Sequence, residues 1–136
     1  MLSTILAAFI LVAITVVVHI VGLVTLLLAL VRKHAHAPTR FWPMTMLLIE
    51  VTWWLVLIHA TEIGIWALFF LWTGGLPDVE SAFYFSGVTY ATVGYGDVIL
   101  PLTWRMLGPV EGLTGILMCG LSTGLLFAII ARLIGP

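Results

Sequence analysis

The stretch Gly87–Val98 reads GVTYATVGYGDV. It sets Gly94 and Gly96 on either side of Tyr95, places the Thr92 hydroxyl just before them and ends on the Asp97 carboxylate. Glycine adopts backbone angles that a Cβ penalises. A backbone of this composition does not stay helical, and it can turn successive carbonyl oxygens to one side. Such a row of oxygens can replace the water around a passing cation.

Five further ionisable side chains fall in apolar surroundings: His19, Glu50, His59, Glu62 and Glu111. A charge in such a place is expensive, so each is a functional candidate. His59 and Glu62 stand three residues apart, on one face of a helix. That spacing suits a metal ion, a proton-sensing pair, or a neutral hydrogen bond that locks helix packing. His19 falls at a depth similar to His59 and is expected to bond to it. Glu50 lies near a helix end and within reach of water. His34 and His36 sit in a polar loop, where they either bind metal or flank the lipid headgroups with no specific role. Cys119 is the single cysteine, so no disulfide framework exists. In its apolar run it reads as a small buried hydrophobe.

The elements that must hold these groups follow from composition. Of 136 residues, 62% are hydrophobic and 8% charged, and the mean hydropathy is +1.25. A soluble domain carries roughly 25% charged residues, so this chain cannot cover a water-facing surface. A net charge of -1 gives no footing for nucleic acid. Three segments exceed the roughly 20 apolar residues of a membrane span: residues 2–31, 44–72 and 107–134. The first lacks a basic leader and a small-residue cleavage site, so it reads as a retained helix and not a signal peptide. Three of the five Lys and Arg residues lie in VRKHAHAPTR, Val31–Arg40, and Arg132 closes the last span. Arg105 alone lies at the other side. The positive-inside rule places the N-terminus outside and the C-terminus in the cytoplasm.

Between the second and third spans, GGLP forms a turn, with Asp78 and Glu80 favourable in a first helical turn. Residues 79–91 then make three to four helical turns, too short to span. This predicts a re-entrant half-helix whose C-terminal dipole end lies at mid-membrane. Non-helical backbone at that depth survives only where protein buries it or a wet cavity receives it.

Thr92-Val93-Gly94-Tyr95-Gly96-Asp97 resembles, without a substitution, the selectivity-filter signature of potassium channels. The resemblance covers residues 44–134 in the order outer helix, pore helix, filter, inner helix. It implies an all-α membrane protein with three transmembrane helices, a re-entrant pore helix and a filter loop, assembled as a homotetramer. The implied division is an N-terminal helix at 1–32, a cytoplasmic loop at 33–43 and a pore domain at 44–136. Within the pore domain the outer helix is 44–72, the pore helix 79–91, the filter 92–97 and the inner helix 105–134. The implied activity is passive, K+-selective conduction without enzymatic chemistry. Potassium is the permeant ion, held at Thr92, Val93, Gly94 and Tyr95, with Gly96 shaping the strand, and no cofactor is implied. The expected setting is a bacterial inner membrane. A non-conducting accessory subunit that keeps the pore fold, or a His/Glu metal-binding membrane protein, stands as the alternative.

The support expected around the filter departs from well-studied relatives. Tyr84 and Phe85 replace two tryptophans, and Val88 replaces a carboxylate found in some bacterial channels. Tyr84 is therefore expected to hold Asp97, and Thr89 to meet the Tyr95 hydroxyl. Tyr95 should turn into an aromatic cuff of Phe83, Tyr84, Phe85 and Tyr90. Glu62 and Glu111, roughly 15 Å and 9 Å below the outer helix ends, should form a hydrogen-bonded shell reaching Ser86 or Tyr90, with two independent neutral carboxyls as the alternative. At 100° per residue, Gly108, Gly112 and Gly115 share one stripe that lets the inner helix approach its neighbours closely. Gly120 and Gly124 lie elsewhere, as a hinge or a packing pair. Leu117, Gly120, Leu121, Gly124 and Ala128 are the candidate cavity lining. No arginine ladder suggests a voltage sensor, and no stretch of this chain reads as a soluble regulatory domain.

Overall fold

The computed structural model describes residues 2–33 and 40–134. His34 and His36 fall outside the described residues. The described chain is all-α, with four helices: α1, Leu2–Lys33; α2, Phe41–Trp72; α3, Val79–Tyr90; and α4, Leu107–Ile134. Helices α1, α2 and α4 are long and apolar enough to cross a membrane.

Two helix starts differ from the sequence expectation, and proline explains both. α2 begins at Phe41, before Pro43, and α4 begins at Leu107, before Pro109. In each case proline occupies the third helical position. Its missing N–H would have had no partner in the first turn anyway. α3 starts at Val79 because Asp78 caps it: Oδ1 accepts from the Ser81 N–H at 2.8 Å and Oδ2 from the Ser81 hydroxyl at 2.9 Å. These bonds lower the Asp78 pKa below the usual carboxylate range.

Exposed hydroxyls on helices long enough to cross a membrane need partners that an apolar surrounding cannot supply. Thr25, Thr52, Thr61 and Thr123 each donate to the carbonyl four residues earlier, at 2.7 or 2.8 Å. Their helices satisfy them internally.

The interior has three storeys. One apolar cluster, at the end of the bundle where α4 starts, joins Leu11, Trp66, Ala67, Phe70, Phe85 and Leu107. A second, towards the other end, joins Leu26, Leu47, Val51, Leu55 and Ile58, backed by Leu125 and Ile129 of α4. Between them lies a polar layer. α1 is fixed against this core at three levels. The Thr4 hydroxyl donates to the Thr103 carbonyl at 3.1 Å, and the Trp66 indole donates to Thr15 Oγ1 at 3.0 Å. Gly22 lets α1 close on α2, since a Cβ there would meet Ile58 Cγ1 at 2.7 Å. The N-terminal end of α1 thus lies at the same end of the bundle as the start of α4.

Candidate functional site

α3 descends from the end of α2 to the polar layer, where its last residue, Tyr90, reaches Glu62. The chain then turns back, and Asp97 meets Tyr84 on the second turn of α3. The return strand is therefore held alongside the helix it came from. Its bend is made by three left-handed residues, Thr92 (φ 58°), Gly94 (φ 53°) and Gly96 (φ 78°). The glycines meet expectation; Thr92 does not. A β-branched residue in that region is strained by roughly 1–3 kcal/mol, and its surroundings must hold it there.

Those surroundings are hydrogen bonds to the last turn of α3. Thr92 N–H donates to Thr89 O at 2.9 Å, while Val93 and Gly94 N–H donate to Val88 O at 2.8 and 3.1 Å. The amides are committed to the helix. Among the described residues, no carbonyl from Thr92 to Gly96 accepts a hydrogen bond from protein. The run therefore offers a series of uncommitted oxygens next to the negative dipole end of α3, which is an arrangement for a cation.

At the outer end the Tyr84 hydroxyl donates to Asp97 Oδ2 at 2.7 Å. This bond is the main cause that holds the Asp97 carboxyl below its usual range. A lowered pKa means the clasp contributes fully above the ordinary carboxylate range and is lost only as pH falls through the lowered value. Tyr84→Phe should therefore return Asp97 towards an ordinary titration. It should also weaken thermal protection by K+ relative to Na+ at neutral pH. An unchanged K+-dependent thermal shift in that variant would show that the clasp does not stabilise the return strand.

The rest of the expected support is arranged differently. Among the described residues, Tyr95 makes no ring contact and no hydrogen bond to Thr89, and it is 72% exposed. The four rings expected as its cuff are dispersed within the chain. Phe85 packs edge-on against Phe70, with centroids 5.4 Å apart, Phe83 lies beside Gly64, and Tyr90 joins the polar layer. Val88, Thr89, Gly94 and Gly96 line a cavity between α3 and the return strand.

The polar layer draws one or more side chains from every helix. Glu62 is fully buried. Its Oε1 lies 2.9 Å from His19 Nδ1, and its Oε2 accepts from the Tyr90 hydroxyl and lies 3.1 Å from His59 Nδ1. His59 Nδ1 also stands 3.0 Å from the Tyr90 oxygen, and its Nε2 3.0 Å from Ser122 Oγ. The expected His19–His59 bond is replaced by a ring contact at 5.4 Å, because both imidazoles turn to the carboxylate between them. Ser122 was not legible as a member of this layer: one hydroxyl in an apolar helix has no pattern to mark it. Glu111 is buried with Ser86 as its neighbouring hydroxyl, although the approach falls short of hydrogen-bond geometry at both Glu111 oxygens and at Ser86 Oγ. It does not extend the Glu62 network. Glu50 is half-buried in α2.

α4 meets the site through glycine. Added Cβ atoms would lie 3.8 Å from Phe85 at Gly108, 3.3 Å from Thr89 O at Gly112 and 2.1 Å from Tyr90 O at Gly115. This stripe is where α3 rests. Gly120 and Gly124 meet nothing within 4 Å, so they make no packing pair inside the chain. With Leu117, Leu121 and Ala128 they form an exposed face. Cys119 is exposed as well, contrary to expectation, because α4 turns that side away from α2 and α3.

No curated protein and no solved structure matches the chain. A family model described as an ion channel matches residues 54–132, which is more than half of the chain. That match takes in most of α2, all of α3, the glycine-bent return strand and nearly all of α4, so the chain belongs to the ion channel family.

Proposed function

We propose that the chain forms a homotetrameric pore that conducts K+ passively and selectively, with residues 92–97 as its filter. The observation that carries this reading is the uncommitted carbonyl run of Thr92–Gly96, bent by Gly94 and Gly96 at the C-terminal end of α3. One chain supplies one such strand. A ring of oxygens around an ion needs several, and cyclic symmetry with four copies is the arrangement this motif serves. The exposure of Val93 (52%) and Tyr95 (72%) on the single chain fits surfaces awaiting neighbours.

In this reading the carbonyls of Thr92, Val93, Gly94 and Tyr95, with the Thr92 hydroxyl, replace the hydration shell of K+. Asp97, held by Tyr84, fixes the outer mouth. Leu117, Gly120, Leu121, Gly124 and Ala128 face the cavity below, with Gly120 as the hinge of α4. The N-terminus lies outside the cell membrane and the C-terminus in the cytoplasm. K+ is the transported ion and not a resident cofactor. The family is one of channels and not of enzymes.

Reconstituted in liposomes, the protein should pass K+ and Rb+ and largely exclude Na+. Equal Na+ and K+ fluxes through the intact assembly would defeat this proposal, and so would no flux of either ion.

A further inference from the structure

We propose that His19, His59 and Glu62 form a binding site for a divalent transition metal of the zinc class, joining α1 to α2 behind the last turn of α3. The inference stands on the polar layer alone and does not depend on which ion the pore conducts.

The donor set and its spacing come first. Each of the three residues offers a ligand atom, and these atoms all lie within 4.8 Å of one another. Two imidazole nitrogens and one carboxylate oxygen are a set that zinc takes in three-ligand sites. Ca2+ and Mg2+ prefer oxygen throughout. At zinc–ligand distances of about 2.0–2.2 Å, tetrahedral neighbours stand about 3.3 Å apart. His19 Nδ1 stands 2.9 Å from Glu62 Oε1 and His59 Nδ1 3.1 Å from Oε2, so the carboxylate faces both imidazoles, and the most widely spaced of the three ligand atoms would draw together around an ion.

The surrounding groups suit this role. Metal-binding imidazoles hand their second N–H to an acceptor that fixes the ring. With Nδ1 of His59 on the metal, its Nε2–H would donate to Ser122 Oγ, which already stands 3.0 Å away. The Tyr90 hydroxyl orients Glu62 and lies beside His59 Nδ1 as a fourth group. Burial argues in the same direction. Glu62 and His19 are fully buried, and among the described residues no Lys or Arg pairs with Glu62. Hydrogen bonds alone leave this desolvation incompletely compensated, and a divalent cation between the three side chains would offset it. The His59 side chain, 19% exposed, provides an edge for entry.

Purified full-length protein, stripped with chelator, should be titrated with Co2+ and then with Zn2+. The expected result is the visible ligand-field absorption of four-coordinate Co2+, saturating at one ion per chain and displaced by Zn2+. Glu62→Gln and His59→Gln should each weaken Co2+ binding by more than a hundredfold, and Ser122→Ala by about tenfold. His34→Ala with His36→Ala should leave the band unchanged. If wild type gives no such band and binds no stoichiometric Zn2+, the cluster is a hydrogen-bonded knot and the proposal fails. It also fails if the band survives Glu62→Gln and His59→Gln but is lost with His34 and His36. The wild-type titration decides the matter even where a variant does not assemble.

Discussion

Gly115→Ala is expected to collapse both the thermal stability and the flux of the protein, although it adds one methyl group. The Cβ would lie 2.1 Å from Tyr90 O, 2.9 Å from Tyr90 C and 3.0 Å from Tyr90 Cγ. Two of these atoms are backbone, so no change of rotamer relieves the clash. α4 must instead retreat from α3 by more than an ångström. Overpacking of this kind costs typically 1–3 kcal/mol, about the upper end when backbone must move. The position also decides the functional effect. Tyr90 anchors α3 to Glu62 and His59 and stands two residues before Thr92, whose amide hangs from Thr89 O. A displaced Tyr90 releases the floor on which the return strand is built.

Gly112→Ala should act more weakly, since its nearest neighbour is Thr89 O at 3.3 Å. Gly120→Ala and Gly124→Ala meet open space and should hold or raise stability, by up to about 1 kcal/mol through helix propensity. Thermal unfolding and Rb+ uptake across the four variants test the ranking. Wild-type behaviour in Gly115→Ala would show that α4 does not rest on Tyr90.

The fold was legible where one local property sufficed. Spans announce themselves because about 20 consecutive residues must be apolar, and α3 because a turn with Pro77 precedes a segment too short to cross. The Gly94 and Gly96 conformations were legible because glycine is the residue that tolerates them. The left-handed Thr92 was not, since a β-branched residue predicts the opposite. The polar layer shows a different limit. His59 and Glu62 read as a pair because helical periodicity fixes their relation. His19 read correctly in depth and wrongly in partner, for its orientation depends on how α1 is rotated against α2. That rotation is set by Gly22 against Ile58 and Thr15 against Trp66, contacts between segments far apart in the chain. Gly115 shows the intermediate case: its stripe was visible, but the depth of its contact with Tyr90 required the packed helices.

Gly94→Ala and Gly96→Ala are each expected to abolish K+ flux while leaving membrane insertion intact. Neither methyl group would touch anything within 4 Å in its own chain. The effect inside one chain is therefore conformational, since both positions are left-handed, at φ 53° and 78°. An L-residue there costs about 1–2 kcal/mol. In a fourfold assembly every copy carries it, about 4–8 kcal/mol per pore. The strand has little reserve, because Thr92 is already strained. Relaxing φ at residue 94 or 96 rotates the adjoining peptide planes and would turn carbonyls of the Thr92–Gly96 run away from the ion path proposed for them. Gly74→Ala supplies the control. Gly74 is also left-handed, at φ 66°, with nothing within 4 Å of its Cβ, but it lies in the turn after α2. Its substitution carries the same backbone penalty with no carbonyl in the ion path, so stability should fall while flux persists. Rb+ uptake into liposomes loaded with matched amounts of assembled protein measures all three. Wild-type uptake by both Gly94→Ala and Gly96→Ala would mean that this strand does not line the pore; loss in Gly74→Ala as well would mean that general destabilisation, not carbonyl geometry, stops the flux.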